Sequence, residues 1–459
     1  MNKAIKECEP MNKYRIKTKN LLIVLACCLL VITAVYQHFS NKQDMLSILQ
    51  QAEPDAANYK EIEGTYKTYK LIDEKGKLLN YAVFTSASGY GGPISLLTTI
   101  NKDEKIDNVI ILENAETPSY IARVLESGYP ENLKGHSITD SFESNEAIDA
   151  VSGATRTTEG ILGAVEKGVA QVGPNQLGVE VPKVGGYHFQ WEDGAIVLLL
   201  ILAVIAATRK MKKLRIPLLV ASVFIIGFMA KSSLSLGNFM SIIMNKMPVI
   251  TERPIWFFLV IGILVVTLIL GKNIYCGYIC PFGAAQEGIY KALNLTKNKL
   301  DQRIIAVAGK SRWFFIWLAA MLALYFNNPG IASFEPFSPF FGGKANTAQW
   351  IMMGLILVTC IVVFRFWCRC FCPIGTVLDF LAQVKRKIKK LLVKKPAAQL
   401  NAVVHNQSGC VSCSTCKSGC GKNEKRATPL SPFSKVIVGL IVVIDLLIIT
   451  ALLQNSGLF

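Results

Sequence analysis

Seven apolar stretches punctuate the chain, at about 21–36, 194–208, 216–230, 254–271, 313–326, 349–366 and 434–453. Their length and continuity predict membrane-crossing helices. Several fall short of the ~20 residues of a perpendicular crossing, and flanking aromatics such as Trp191 and Trp313 complete them at the interface. Between the first two stretches lies a long polar segment, 41–190. There "YKEIEGTYKTYKLID" and "LNYAVFTSASGYGGPISLLTTI" alternate like strands and are rich in aromatic and β-branched residues. "TEGILGAVEKGVAQV" (158–172) reads as an amphipathic helix, so 41–190 is expected to fold as an α+β domain. In "VLDFLAQVKRKIKKLLVKK" (377–395) apolar residues at helical spacing oppose a basic face. That pattern fits an interfacial helix on anionic lipid and equally a solvated linker helix.

Composition supports membrane residence: 51% of the 459 residues are hydrophobic, and mean hydropathy is +0.37. The charge of +17, from 49 basic and 32 acidic residues, would suit nucleic acid, but the cations sit in short loops between apolar runs. This is the signature of membrane topology, and no nucleic-acid partner is expected. Lys3, Lys6, Lys13, Arg15, Lys17 and Lys19 precede the first stretch and place the N-terminus inside. No small-x-small cleavage site follows that stretch, so it reads as an uncleaved anchor, with Cys27 and Cys28 as ordinary span residues. Seven crossings then put 41–190 outside and 209–215, 272–312 and 367–433 inside. The bias agrees: the inside connections are rich in Lys and Arg, whereas the outside loop 327–348 carries only Lys344.

The 13 cysteines are absent from the polar segment and cluster elsewhere, which excludes a secreted disulfide scaffold and points to metal. "YCGYICPFG" (275–283) and "WCRCFCPIG" (367–375) align without a gap, each after an outside-to-inside span. They are two copies of one unit, and Cys-x3-Cys-Pro is also the tail of the bacterial ferredoxin run. Cys276, Cys280, Cys368 and Cys372 together make one tetrathiolate set for an iron–sulfur cluster. The full run appears once, as "CVSCSTCKSGCG", giving Cys410, Cys413, Cys416 and Cys420 as a second set with Gly421 in place of the proline. Its overlapping gaps leave no room for a zinc fingertip loop. A swap of the fourth cysteine between clusters is also compatible with such runs. Cys370 sits between ligand positions and reads as a spectator, Cys360 as core and Cys8 as a solvated thiol. Membrane haem is disfavoured, because His38, His136, His188 and His405 all lie outside the apolar cores. Asp445, inside the last stretch, fits a proton relay or a polar contact between helices equally.

"DAVSGATRTTEG" (149–160) places small residues before a helix start, where backbone N–H groups suit a phosphate but where an ordinary helix cap looks the same. The stretch resembles the flavinylation motif of the FMN-binding domains of Rnf complexes and sodium-pumping NADH:quinone reductases. Asp149, Ser152, Gly153, Ala154 and Thr155 match that motif. The resemblance implies FMN joined through its phosphate to Thr155, with Thr157 as runner-up acceptor. "GYGGPI" (89–94), with Gly91 and Gly92, and "ETP", Glu116, Thr117 and Pro118, resemble two further loops that surround the flavin. The family's ETP loop often continues with glycines, where this chain has Ser119 and Tyr120.

The whole order of parts resembles the NosR/NirI group and the membrane C-subunits of reductive dehalogenase systems, and its latter part resembles NapH-type proteins. That implies a multi-pass α-helical membrane protein with an extracytoplasmic α+β FMN-binding domain and a small cytoplasmic ferredoxin-like iron–sulfur segment. The expected parts are an anchor (1–40), the FMN domain (41–190), the membrane domain (191–376), a basic helix with the ferredoxin motif (377–433) and a last span (434–459). The expected function is electron transfer across the cytoplasmic membrane. Quinol or a soluble donor feeds 4Fe-4S clusters inside, and covalent FMN outside serves an extracytoplasmic reductase or carrier. A flavin transferase is the expected maturation partner. A redox-sensing regulator and an accessory factor for a respiratory reductase are the alternatives. One difficulty follows: a hydrocarbon core of about 30 Å separates the two sides, too far for one electron hop. Either the Cys-x3-Cys site lies partly within the membrane, or a quinone or another subunit bridges the distance.

Overall fold

The computed structural model describes residues 9–40, 45–140, 151, 154–182, 189–293, 301–343, 345–392 and 431–457. The chain is mostly helical, with a β-sheet domain in its N-terminal part. Helix α1 (Glu9–Ser40) precedes that domain. The domain opens with α2 (Met45–Ala52), followed by β1 (Asn58–Ile62), β2 (Thr68–Ile72), β3 (Leu78–Ser88), β4 (Pro93–Ile100) and β5 (Ile106–Asn114). The strands pair in chain order as one antiparallel meander. Two short helices, α3 (Pro118–Glu126) and α4 (Tyr129–Asn132), lead towards α5 (Thr155–Val172).

The period of two along the strands decides what covers each face. Val83, Leu96 and Ile100 point to one side and pack with Ile161, Val165 and Val169 of α5. Their neighbours Ala82 and Leu97 point to the other side and pack with Leu49 and Ala52 of α2. A sheet with both faces buried explains why β4, "PISLLTTI", is apolar on both sides at its centre.

The rest is helical: α6 (Trp191–Thr208), α7 (Lys212–Ser222), α8 (Leu236–Ile243), α9 (Pro254–Leu270), α10 (Pro281–Leu293), α11 (Gln302–Tyr325), α12 (Thr347–Val362), α13 (Phe366–Cys370), α14 (Pro373–Leu392) and α15 (Pro432–Asn455). All seven apolar stretches lie mainly on helix, the 349–366 stretch breaking at 363–365 between α12 and α13. Among the described residues three helices, α6, α11 and α15, are long and apolar enough to cross a membrane, while Ile23–Gln37, α9 and α12 are apolar but shorter. The 216–230 stretch is interrupted: Pro217 lies inside α7, which continues as a π-helix, Val223–Met229. Proline removes an intrahelical donor and crowds the preceding turn. The apolar helices keep large side chains outward, among them Leu198, Ile201, Phe258, Ile269, Val436 and Leu446, which is a surface suited to lipid rather than water.

Candidate cofactor sites

The two Cys-x3-Cys copies close with the same wide turn, the first in a π-helix (Tyr275–Ile279) and the second at the end of α13. Cys280 N–H donates five residues back to Tyr275 O (2.8 Å), and Cys372 N–H donates to Trp367 O (3.0 Å). Each wide turn leads directly into a helix that starts at the proline, α10 or α14. Gly283 N–H then points at Cys280 Sγ (3.4 Å) and Gly375 N–H at Cys372 Sγ (3.3 Å). Amide donors at a helix start favour thiolate over thiol.

The copies interlock. A Cβ built on Gly283 would stand 3.5 Å from Cys280 Sγ and 3.7 Å from Cys368 Sγ, one sulfur from each copy. A Cβ on Gly375 would stand 3.7 Å from both Cys276 Sγ and Cys372 Sγ. Cys372 has the other three thiols among its electrostatic neighbours, Cys276 has Cys280 and Cys368, and Cys368 has Cys280. All four are free of disulfides. Among the described residues no group of three or more Cys, His, Asp or Glu is arranged to hold a single metal ion. Four converging thiols from two copies of one motif fit a polynuclear cluster, in which each thiolate ligates a different iron. Cys370 faces Arg312, Arg369 and Asp445 instead, and Cys360 is buried, with its thiol donating to Gln286 Oε1 (3.3 Å). Cys410, Cys413, Cys416 and Cys420 lie outside the described residues.

Around the thiols runs a second pseudo-symmetric layer. Arg365, three residues before Cys368, pairs with Glu287, seven residues after Cys280 (2.7 Å). At the equivalent places of the opposite copies, Asn273 donates to Asp379 (3.0 Å). The approximate two-fold therefore relates a charged bridge to a neutral-to-acid one. Arg365 also donates to Cys276 O (3.0 Å) and has Cys280 and Cys368 as neighbours. Glu287, buried, collects Arg215 and Lys291 as well. Burial pushes its carboxyl up, but Arg215, Lys291 and Arg365 outweigh that and hold it at about 2. Gln286 donates to Cys368 Sγ (3.4 Å) and accepts from Trp367 N–H (3.1 Å). Its equivalent in the second copy is Leu378, so this contact is unique to Cys368.

In the sheet domain, Ala154 precedes α5 and Thr155 is its first residue. Asp149, Ser152 and Gly153 lie outside the described residues. Thr155 is exposed and lines a cavity with Tyr90, Tyr120, Arg156 and Lys231. Thr157 is buried and its hydroxyl donates to Glu116 Oε2 (2.8 Å). The other oxygen of Glu116 accepts from Gly91 N–H (2.9 Å), so one carboxylate ties the GYGG loop, the ETP loop and α5 together. Burial pushes the Glu116 carboxyl up, and the bonds from Thr157 and Gly91 oppose this. Gly91 is required by close approach, since a Cβ there would lie 2.5 Å from Ala115 O. Thr117 and Pro118 start α3, and Gly92 closes the hairpin by accepting from Gly89 N–H (2.8 Å). A cavity bounded by a helix start, an exposed hydroxyl and two tyrosine rings 5.0 Å apart fits a phosphate-bearing aromatic cofactor.

The flavin loops are docked on the helical part. Arg253 donates to Gly89 O (2.6 Å), Tyr90 to Lys231 O (2.7 Å), and Val249 N–H to Ser88 Oγ (2.9 Å). Glu252 accepts from Ser88 N–H (2.7 Å) and pairs with Lys167. From the opposite direction the helical part reaches back to the cysteines. Tyr275 OH accepts from Leu234 N–H (3.1 Å), Phe282 meets Phe337 (5.3 Å between centroids), and Phe334 meets Trp367 (6.5 Å). Segments 231–253 and 327–343 thus touch both candidate sites, which sequence pattern alone did not reveal.

Comparison with known proteins matches a cofactor-binding domain to the region of each candidate site. Residues 89–170 match the FMN-binding domain, and 252–300 with 347–390 match a 4Fe-4S binding domain. Regulatory protein NosR of Stutzerimonas stutzeri is 27% identical over 36% of this chain and 24% of its own length. Protein NirI of Paracoccus denitrificans is 29% identical over 29% of this chain and 21% of its own. The ferredoxin-type protein MauN of methylamine utilization in Methylorubrum extorquens is 26% identical over 33% of this chain and 49% of its own. The chain therefore aligns with less than a quarter of the NosR and NirI relatives' length. The chain thus carries an FMN-binding domain and a split 4Fe-4S binding domain, a pair of cofactor modules that supports a redox-related role, and it is similar in sequence to NosR and NirI.

Proposed function

We propose that the chain is a multi-pass carrier that moves electrons across the cytoplasmic membrane between iron–sulfur clusters and a covalently held FMN. The observation that carries this reading is the convergence of Cys276, Cys280, Cys368 and Cys372 in the same helical body on which the flavin loops are docked. In the proposal these four thiolates hold one 4Fe-4S cluster and Cys410, Cys413, Cys416 and Cys420 a second. The domain boundaries at 40, 190, 376 and 433 follow the change in chemistry along the chain. Thr155 is the flavin acceptor: it is exposed on the cavity, whereas the Thr157 hydroxyl is occupied by Glu116. Asp149, Ser152, Gly153, Ala154, Gly91, Gly92 and the Glu116–Pro118 loop frame the flavin. When bound, FMN exchanges electrons singly or in pairs, which suits a relay between clusters and an external acceptor. The chain's own residues hold it in place: Glu116 fixes the two loops, and α5 offers its N-terminus to the phosphate.

The Lys and Arg bias supports an outside FMN domain and an inside ferredoxin segment. Quinol or a soluble donor supplies electrons, an extracytoplasmic reductase or carrier receives them, and a flavin transferase matures the protein. The name of the NosR relatives, regulatory protein, favours one second reading, a redox-sensing regulator built from the same cofactors.

Anaerobically purified protein tests the proposal. It should contain iron and acid-labile sulfide for two clusters and flavin that survives denaturation, and Thr155→Val should lose in-gel flavin fluorescence while Thr157→Val keeps it. Absence of sulfide, or flavin retained in Thr155→Val, refutes the corresponding half. A reporter active only outside should work near residues 120 and 335 and fail near 300 and 400. Flavin reduction coupled to turnover of an external acceptor separates the carrier from the regulator.

A further inference from the structure

A second cavity lies between the flavin-side cavity and the cysteine site. It shares Tyr90, Tyr120, Lys231 and Gly342 with the flavin-side cavity. Its opposite wall includes Phe337, the ring that meets Phe282 two residues beyond Cys280. Its volume is about 80 Å³, several times the roughly 10–15 Å³ that one water needs. Apolar side chains of α9, Ile255, Leu259 and Val260, form one side of it.

Three side chains that line this cavity each carry a buried polar atom without a partner among the described residues: Glu335 Oε2, Ser233 Oγ and Trp256 Nε1. The other oxygen of Glu335 is used, accepting from Leu236 N–H (2.6 Å) at the start of α8. Capping that helix therefore explains one carboxyl oxygen and leaves the second. Buried polar groups are almost always satisfied, and each orphan costs on the order of 1–3 kcal/mol. A carboxyl oxygen, a hydroxyl and an indole N–H, on a wall that joins Ile255, Leu259 and Phe337 to polar Ser232, Asn238 and Arg253, fit a flat ring bearing both hydroxyl donors and oxygen acceptors.

We propose that this cavity is a quinol headgroup site, in which Glu335 Oε2 and Ser233 Oγ accept from ring hydroxyls and Trp256 Nε1–H donates to a ring oxygen. The site rests on the electron-carrier reading and names its donor, placing a lipid-soluble ring between the two cofactor sites rather than at the inside loops. It also answers the distance problem, because the cavity abuts the flavin-lining tyrosines on one side and the Phe282–Phe337 pair on the other.

The test uses the purified full-length protein and heptylhydroxyquinoline N-oxide, a fluorescent quinol analogue with one acidic hydroxyl and one ring oxygen. Quenching on titration should saturate at one probe per chain. Glu335→Gln keeps an oxygen for Leu236 N–H but turns the other position into a donor, so it should keep the thermal midpoint and weaken the probe about tenfold or more. Trp256→Phe and Ser233→Ala should each weaken it a few-fold. Wild-type affinity in all three variants, or quenching that does not saturate, overturns the site. Binding that appears only in flavin-free Thr155→Val protein also overturns it, since the flavin ring would then own the cavity. Protein that lacks flavin and iron yet binds the probe as described would sink the electron-carrier reading and leave this site standing.

Discussion

Gln286 makes the two halves of the thiol site chemically unequal. Its amide reaches Cys368 Sγ, while Leu378 at the matching place offers no donor. A donor to a cluster sulfur stabilises the more reduced state. Gln286→Leu should therefore leave iron content unchanged and lower the midpoint potential of the four-cysteine cluster. If ~1 kcal/mol of that bond differs between redox states, the shift is roughly 40 mV for one electron. Potentiometric titration reads it, and an unchanged potential would show that the contact matters only for packing. The cysteines themselves were legible, because a gapless repeat with ferredoxin-like spacing is hard to produce otherwise. Gln286 was not: it lies beyond the nine-residue unit, and a glutamine on a helix carries no signal until its partners are known. Arg365 and Asn273, three residues ahead of each first cysteine, do share a register that the repeat could have exposed.

At the scale of elements, α10 and α14 are held by the bridges that cross between copies. Glu287 balances Arg215, Lys291 and Arg365, two of which are substantially sheltered. Removing a buried acid strands its cations. Glu287→Ala should cost about 3 kcal/mol or more and be read as a lowered thermal midpoint in detergent. Asp379→Asn, on the exposed amide-to-acid bridge, should cost under about 1 kcal/mol. The pH dependence has a definite sign. With its carboxyl held at about 2, Glu287 contributes fully above the ordinary carboxylate value of 4.5, and the contribution drains away only as pH falls towards 2. The seven apolar stretches were legible as helices because uninterrupted hydrophobicity is a strong signal. Helix α8 was not, since eight residues between polar loops show too few turns for a period to emerge.

For the whole molecule, the informative contacts join parts that are far apart in the chain. Lys167 of α5 pairs with Glu252 ahead of α9, and Ser88 adds its N–H. Burial pushes the Glu252 carboxyl up, but Lys167 and Ser88 outweigh that and leave it below 4.5. Docking of the flavin domain should therefore be undisturbed above that value and loosen as pH falls through the lower folded value. Glu252→Gln should loosen it at neutral pH by about 1 kcal/mol, the scale of a part-exposed pair, and faster hydrogen exchange at 86–92 and 246–253 would report it. No local pattern announces such a contact, because Lys167 and Glu252 each look like ordinary solvated charges in their own segments. The division of the thiols between two copies has a further consequence, for the order of biosynthesis. When Cys276 and Cys280 leave the ribosome, Cys368 and Cys372 have yet to be made, and their helices have yet to enter the bilayer. Half a ligand set cannot retain a cluster, so metal loading must wait until nearly the whole membrane body is inserted. A chain truncated before Cys368 should reach the membrane without a cluster at this site.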